Sequence, residues 1–234
     1  MREHQSVAMS AEAPFEKPPF EKPDVRSIFP TSVLETRIKD AAALNDALRG
    51  VIMARRGNDP GIDRSNIGGW HSDTEMLSWG GQAARTLALA TLQLCGAYTH
   101  DRGLRGTAPR FEMGLEMWAN VSPRGASNQA HAHPGCVWSA VYYVDDGGGR
   151  DSGKLVLHDP RFPMNRMAAP DLVFANDGAM EEMRVEIAPE PGKLIAFPAW
   201  LMHSVKPHDG PRDRLSVALN VMAIPVRTKP KASS

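Results

Sequence analysis

The sequence has very little cysteine, no surplus of either charge and no long hydrophobic run. Its two cysteines, Cys95 and Cys136, cannot build a disulfide framework, and neither sits in a CxxC pair. They read as free, buried thiols of a reducing compartment. Lys plus Arg number 27 and Asp plus Glu number 27, so the net charge is zero. Nucleic-acid binders usually carry a basic excess, and this balance argues against one. The longest uncharged apolar stretch, Leu194 to Met202, is far too short to span a bilayer. Residues 1–30 hold no apolar run of the signal-peptide kind. The expectation is a cytoplasmic protein with neither a membrane nor a nucleic acid as partner.

What is present is an ordinary folding composition. Of 234 residues, 42% are apolar and 23% charged, which excludes global disorder. The 20 glycines and 19 prolines imply many turns and therefore many short elements. Residues 1–27 contain the duplication Phe15-Glu16-Lys17-Pro18 and Phe20-Glu21-Lys22-Pro23. Proline fixes φ and removes a donor, so this stretch reads as a flexible, extended tail. Residues 28–224 read as one domain, and residues 225–234 as a weakly basic C-terminal tail.

Two helical patterns open the domain. Leu34, Ile38, Ala41, Leu44, Leu48 and Ile52 recur at helical spacing and predict a helix over Leu34 to Arg56. A second is predicted over Gln82 to Tyr98, with a Gly- and Asn-containing loop between them that includes residues 65–72. From Phe111 the period changes to two. Phe111, Met113, Leu115, Met117, Ala119 and Val121 form one face of a strand; Glu116, Trp118 and Asn120 lie on the other. Cys136 to Val144 is apolar on both faces and predicts a central strand. Short strands follow at 154–158, 183–188, 193–197 and 203–206. In the last, Arg214 to Ala223, Leu215, Val217, Leu219 and Val221 oppose Arg214, Ser216, Ala218 and Asn220. The predicted fold is mainly β: a double-stranded β-helix, or cupin-like jelly roll, with two N-terminal helices packed on one sheet. The mixed faces would then look inward, where they are too polar for a dry core and read as the lining of a pocket.

His131-Ala132-His133 precedes the central strand. Side chains two apart on an extended segment share a face, and two imidazoles there can bind one metal ion. The pair by itself is a weak signal and fits ordinary surface or turn histidines better. His203 strengthens it, opening a strand after the buried run Leu194–Phe197. Arg214 follows eleven residues later on the pocket face. A guanidinium there needs an anion, either a bound carboxylate or an internal acid such as Glu116. His4, His71, His100 and His208 show no partner pattern and read as surface residues. Arg161 could line an entrance or simply be a solvated turn charge. The tryptophans read mostly as core, although Trp118 has pocket parity.

The ordered set of motifs resembles the iron(II)/2-oxoglutarate-dependent dioxygenases. It comprises His131-x-His133, an apolar strand ending in Tyr142-Tyr143, Ser152-Gly153-Lys154-Leu155, the run from Pro191 to His203, and Arg214-x-Ser216. Trp118-x-Asn120, Asn128-x-x-His131-x-His133-Pro134 and Phe197-Pro198-x-Trp200-Leu201-x-His203 are most similar to the prolyl-hydroxylase-like branch and its bacterial and phage relatives. The resemblance covers about residues 28–224. It implies an oxidoreductase that couples oxidative decarboxylation of 2-oxoglutarate to hydroxylation of a C–H bond at iron(II). His131 and His203 match the two iron-binding histidines. Arg214 matches the arginine that grips the distal carboxylate of 2-oxoglutarate, with Ser216 beside it and Tyr143 able to bond the same group. Asn120 or Asn128 could assist the near end of the cosubstrate.

One position departs from the family pattern. Where the family usually has Asp or Glu, this chain has His133, so the site loses a negative charge. The third metal corner could be His133, a carboxylate from elsewhere such as Asp159, or open to water. Two rival readings stand beside the dioxygenase. One is a three-histidine cupin-like dioxygenase that uses no 2-oxoglutarate; the other is a non-catalytic jelly roll that binds metal or carboxylate. The substrate, a small molecule or peptide, is not legible, and a homodimer is left open.

Overall fold

The structure is a computed structural model that describes residues 21, 27–149, 151–167, 169–176 and 179–226. Most of the expected N-terminal tail, with its Pro-rich repeat and His4, and the end from Arg227 lie outside the described residues. The chain divides into two contact units, residues 1–30 and 31–234. In the first, the described residues 21 and 27–30 are exposed.

The second unit runs β1 (Leu34–Arg37), α1 (Ala41–Asn58), β2 (Asn66–Ile67), β3 (Trp70–His71), α2 (Met76–Trp79), α3 (Gly81–Ala97), β4 (Phe111–Ser122), β5 (Ser127–His131) and β6 (Trp138–Asp145). It continues through β7 (Leu155–His158), a 3-10 turn (Met164–Arg166), β8 (Ala175–Asn176), β9 (Ala179–Met180), β10 (Arg184–Ile187), β11 (Lys193–Pro198), β12 (His203–Val205) and β13 (Arg214–Pro225). Two antiparallel sheets build the expected jelly roll. The six-stranded sheet has the order β1-β11-β6-β13-β4-β3, and the five-stranded sheet β10-β7-β12-β5-β2. Strand β6 is central in the larger sheet, as its two apolar faces predict.

The first helix is shorter than its periodicity suggests. Leu34–Arg37 is an edge strand, with Leu34 opposite Ala196 and Arg37 opposite Lys193. Asp40 then takes a left-handed backbone (φ 50°), and α1 starts at Ala41. Aspartate tolerates this region better than most residues. The ladder hydrogen bonds offered by β11 outweigh a helical spacing that only Leu34 and Ile38 support at that end. The second helix falls where expected. The short α2 and the two-residue strands β2 and β3 lie in stretches without periodicity, which is why they were not foreseen.

Alternation along β4 and β13 decides what covers each face. Met117, Val121 and Leu219 pack with Leu48 and Ile52 of α1 and Leu87 of α3 in one apolar cluster. A smaller cluster, including Leu155, Ile195, Phe197 and Leu201, fills part of the space between the sheets. The inward residues of β4 and β13 line the rest. Among the described residues, no helix is long and apolar enough to cross a membrane.

Candidate active site

Antiparallel register places the site residues. His203 on β12 stands opposite His131 on β5. In the other sheet Ser216 stands opposite both Asn120 and Tyr143, and Asn220 opposite Glu116 and Ser139. Directly paired residues share a face, so these side chains look into one space. One cavity is lined by Asn120, Asn128, His131, His133, Tyr143, His203, Arg214 and Ser216, the full set of candidate site residues.

One ring nitrogen from each of His131, His133 and His203 lies within 4.8 Å of the others. Two of the rings are held by backbone. Nδ1–H of His131 donates to the Gln129 carbonyl (2.7 Å), and Nδ1–H of His203 donates to the Leu201 carbonyl (2.9 Å). Burial pushes His203 down to about 3, and burial followed by the His131 charge pushes His133 down to about 4. Both are therefore neutral near pH 7, the form that coordinates metal. A cluster of imidazoles suits a divalent iron-group ion.

Asp159 is committed elsewhere. It accepts from the side chains of Arg161 (3.0 and 3.1 Å) and Asn165 (2.8 Å), and only 6% of its side chain is exposed. Arg161 also pairs with Glu181 (2.7 Å), so it is a turn charge with two acidic partners.

Arg214 is 2% exposed and is held by two hydrogen bonds. Its Nη1 donates to the Gly153 carbonyl, and Nη2 donates to the Ser122 hydroxyl (3.0 Å). Gly153 has φ +60°, and a Cβ there would lie 2.5 Å from Arg214 Nη1. That position therefore demands glycine for both backbone and space. Arg214 Nε is buried with no partner, and among the described residues no acid pairs with this guanidinium. Glu116 is not its counter-ion; its carboxylate accepts from Asn220 (3.0 Å). A buried cation with an orphaned N–H fits an anionic ligand entering the cavity. Tyr143, 2% exposed, is pushed by burial up to about 12 and keeps its hydroxyl proton available for donation.

Two histidines expected at the surface are buried. His71 is 4% exposed, lines the cavity and stacks on Trp118 (centroids 5.4 Å apart). It sits in β3, beside Asn120, in a stretch with no periodic signal to reveal it. His208 is fully buried, with Nε2 bonded to the Arg212 carbonyl (2.7 Å) and Nδ1 near the Ser152 hydroxyl (3.3 Å). It ties together the loops that lead to Arg214 and Gly153. His100 is exposed, as expected. Of the two free cysteines, Cys95 is buried and Cys136 only partly so.

Residues 116–220 match a protein family described as "Putative 2OG-Fe(II) oxygenase". The match spans His131, His133, His203 and Arg214. This part of the jelly roll is thus similar to the 2OG-Fe(II) oxygenases. No curated protein sequence matches the chain. Solved structures are similar in fold. A Pseudomonas putida prolyl-4-hydroxylase is 20% identical over 82% of this chain and 92% of its own, with a TM-score of 0.55. A Trichoplax adhaerens prolyl hydroxylase, solved with a hypoxia inducible factor peptide, is 14% identical over 81% and 83%, with a TM-score of 0.55. HygX from Streptomyces hygroscopicus, solved with nickel and 2-oxoglutarate bound, is 13% identical over 82% and 83%, with a TM-score of 0.54.

Proposed function

We propose that the protein is an iron(II)/2-oxoglutarate-dependent dioxygenase that hydroxylates a C–H bond of a small molecule or peptide. In this reading His131 and His203 ligate the metal and His133 stands at its third corner. Arg214 binds the distal carboxylate of 2-oxoglutarate, with Tyr143 and Ser216 beside it and Asn120 and Asn128 nearer the metal. The observation that carries the reading is one cavity that holds both the imidazole cluster and a buried arginine lacking a counter-anion.

Bound iron(II) and 2-oxoglutarate supply oxygen activation and, through loss of carbon dioxide, the oxidising power. The chain's own residues bind, orient and exclude water. The Gly153 carbonyl and Ser122 hydroxyl hold two nitrogens of Arg214, leaving its Nε–H for the incoming carboxylate. Tyr143 presents a neutral O–H beside that charge. Backbone carbonyls hold the His131 and His203 rings through Nδ1–H. Trp118 and Phe197 line the cavity with apolar surface that limits water.

The test is anaerobic titration of iron(II) with and without 2-oxoglutarate, followed by succinate measurement in air. Iron(II) binding, 2-oxoglutarate binding that depends on it, and succinate release are expected. Metal binding without 2-oxoglutarate affinity would promote the three-histidine dioxygenase, and metal and 2-oxoglutarate binding without succinate would promote a non-catalytic binding protein.

A further inference from the structure

His131 and His203 share a device that His133 lacks. A backbone carbonyl can only accept, so Nδ1 of each of those two rings carries the proton and Nε2 keeps its lone pair. His133 Nδ1 instead faces Asn220 Nδ2 at 3.1 Å. The orientation of that amide is set by its other neighbours. Asn220 Oδ1 accepts from the Ser139 hydroxyl (2.9 Å), and Nδ2 donates to Glu116 Oε1 (3.0 Å). A flipped amide would set its oxygen against the Glu116 carboxylate, which can only accept while ionised. The trio is built into the sheet, since Asn220 on β13 lies directly between Glu116 on β4 and Ser139 on β6.

The second N–H of Asn220 therefore points at His133 Nδ1. That nitrogen must offer a lone pair, so the proton of the neutral ring is on Nε2. Neither nitrogen then has a lone pair free for a metal: one is taken by Asn220 and the other carries hydrogen. We propose that Asn220 holds His133 as the Nε2–H imidazole, which faces the metal position as a hydrogen-bond donor and leaves the third corner to an exogenous oxygen ligand, water or carboxylate. This rests on the reading of His131 and His203 as metal ligands. It makes Asn220 a positioning residue acting through His133, and Glu116 the group that orients Asn220. The missing family carboxylate is then replaced by a donor aimed at an external anion, which suits a corner that has lost its built-in negative charge.

Imidazole nitrogen NMR of the metal-free wild type reads the proton position directly. His133 should show protonated Nε2 and bare Nδ1, with His131 and His203 showing the reverse. Nickel(II) titration of the full chain supplies the second readout. His131→Ala and His203→Ala should each weaken binding by about a hundredfold or more, whereas His133→Ala should weaken it far less, by roughly tenfold, as for a group outside the coordination sphere. Asn220→Asp substitutes an acceptor for the donor. It should move the His133 proton to Nδ1, free Nε2 and tighten nickel binding. A proton on Nδ1 of wild-type His133, or a loss on His133→Ala equal to that of His131→Ala, overturns the proposal. If the wild type binds no nickel at all, the reading of His131 and His203 as ligands falls, and with it the donor role, whatever tautomer the NMR finds.

Discussion

The two faces of the six-stranded sheet are made by the same strands and do opposite work. On the helix side, Met117, Val121, Val217 and Leu219 are fully buried among apolar neighbours. On the side facing the second sheet, Trp118, Asn120, Arg214, Ser216 and Asn220 alternate with them and line the cavity. Burial is also deep at two positions of the second face, with Arg214 and Asn220 each 2% exposed. What differs is whether the buried groups find partners within the chain. The helix side is satisfied by packing and contributes stability. The cavity side leaves Arg214 Nε without a partner, at a cost in stability.

The comparison can be broken by truncating one side chain on each face. Leu219→Ala removes a fully buried leucine from the helix side and should cost about 3 kcal/mol of unfolding free energy in urea. Nickel(II) and 2-oxoglutarate affinities of the folded variant should stay at wild-type values. A large loss of ligand affinity would mean the two faces are not separable. Arg214→Ala is expected to do the reverse. It should weaken 2-oxoglutarate binding about thirtyfold, or about 2 kcal/mol, with metal binding nearly untouched. Because the charge is buried without a counter-ion, Arg214→Leu should leave the urea midpoint equal or higher. Equal 2-oxoglutarate affinity in wild type and Arg214→Ala would reject the cosubstrate assignment.

The smallest effect is a pH dependence of the cavity side. Burial lowers His203 from the usual 6.5 to about 3 in the fold. Below pH 6.5 the unfolded chain therefore binds a proton that the folded ring refuses. Its contribution is fully present above pH 6.5 and is lost as pH falls toward 3. For metal-free protein this one ring should cost about 1 kcal/mol between pH 6.5 and 5.5. In His203→Phe, comparative urea titrations should show a shallower decline over that interval. An unchanged slope would mean that His203 is not held neutral by the fold.

Much of this site was legible in one dimension. Period-two alternation assigns Arg214, Ser216 and Asn220 to one face of β13 without any tertiary information, because a strand must turn successive side chains to opposite sides. The same rule puts His131 and His133 together. It does not reach residues whose setting depends on chains meeting from afar. Leu34–Arg37 has helical spacing at its start yet pairs with β11, since a free sheet edge offers hydrogen bonds that local periodicity cannot register. His71 and His208 look like loop histidines, and only the approach of β4 to one and of Ser152 and Arg212 to the other buries them.

The sequence by itself determined the class of fold, the polarity of each strand face, and the order of histidines and arginine that resembles the 2OG-Fe(II) oxygenases. These follow from local periodicity and residue chemistry, which need no distant partner. Tertiary structure decided that Asp159 is spoken for, that Arg214 has no acid of its own, and that Asn220 stands between Glu116 and His133. Asp159 is taken up by Arg161 and Asn165 of its own turn, whereas the other two depend on which side chain from a remote strand fills the remaining hydrogen-bond positions. That is set by antiparallel register, in which a shift of one residue would turn every one of these groups to the other face.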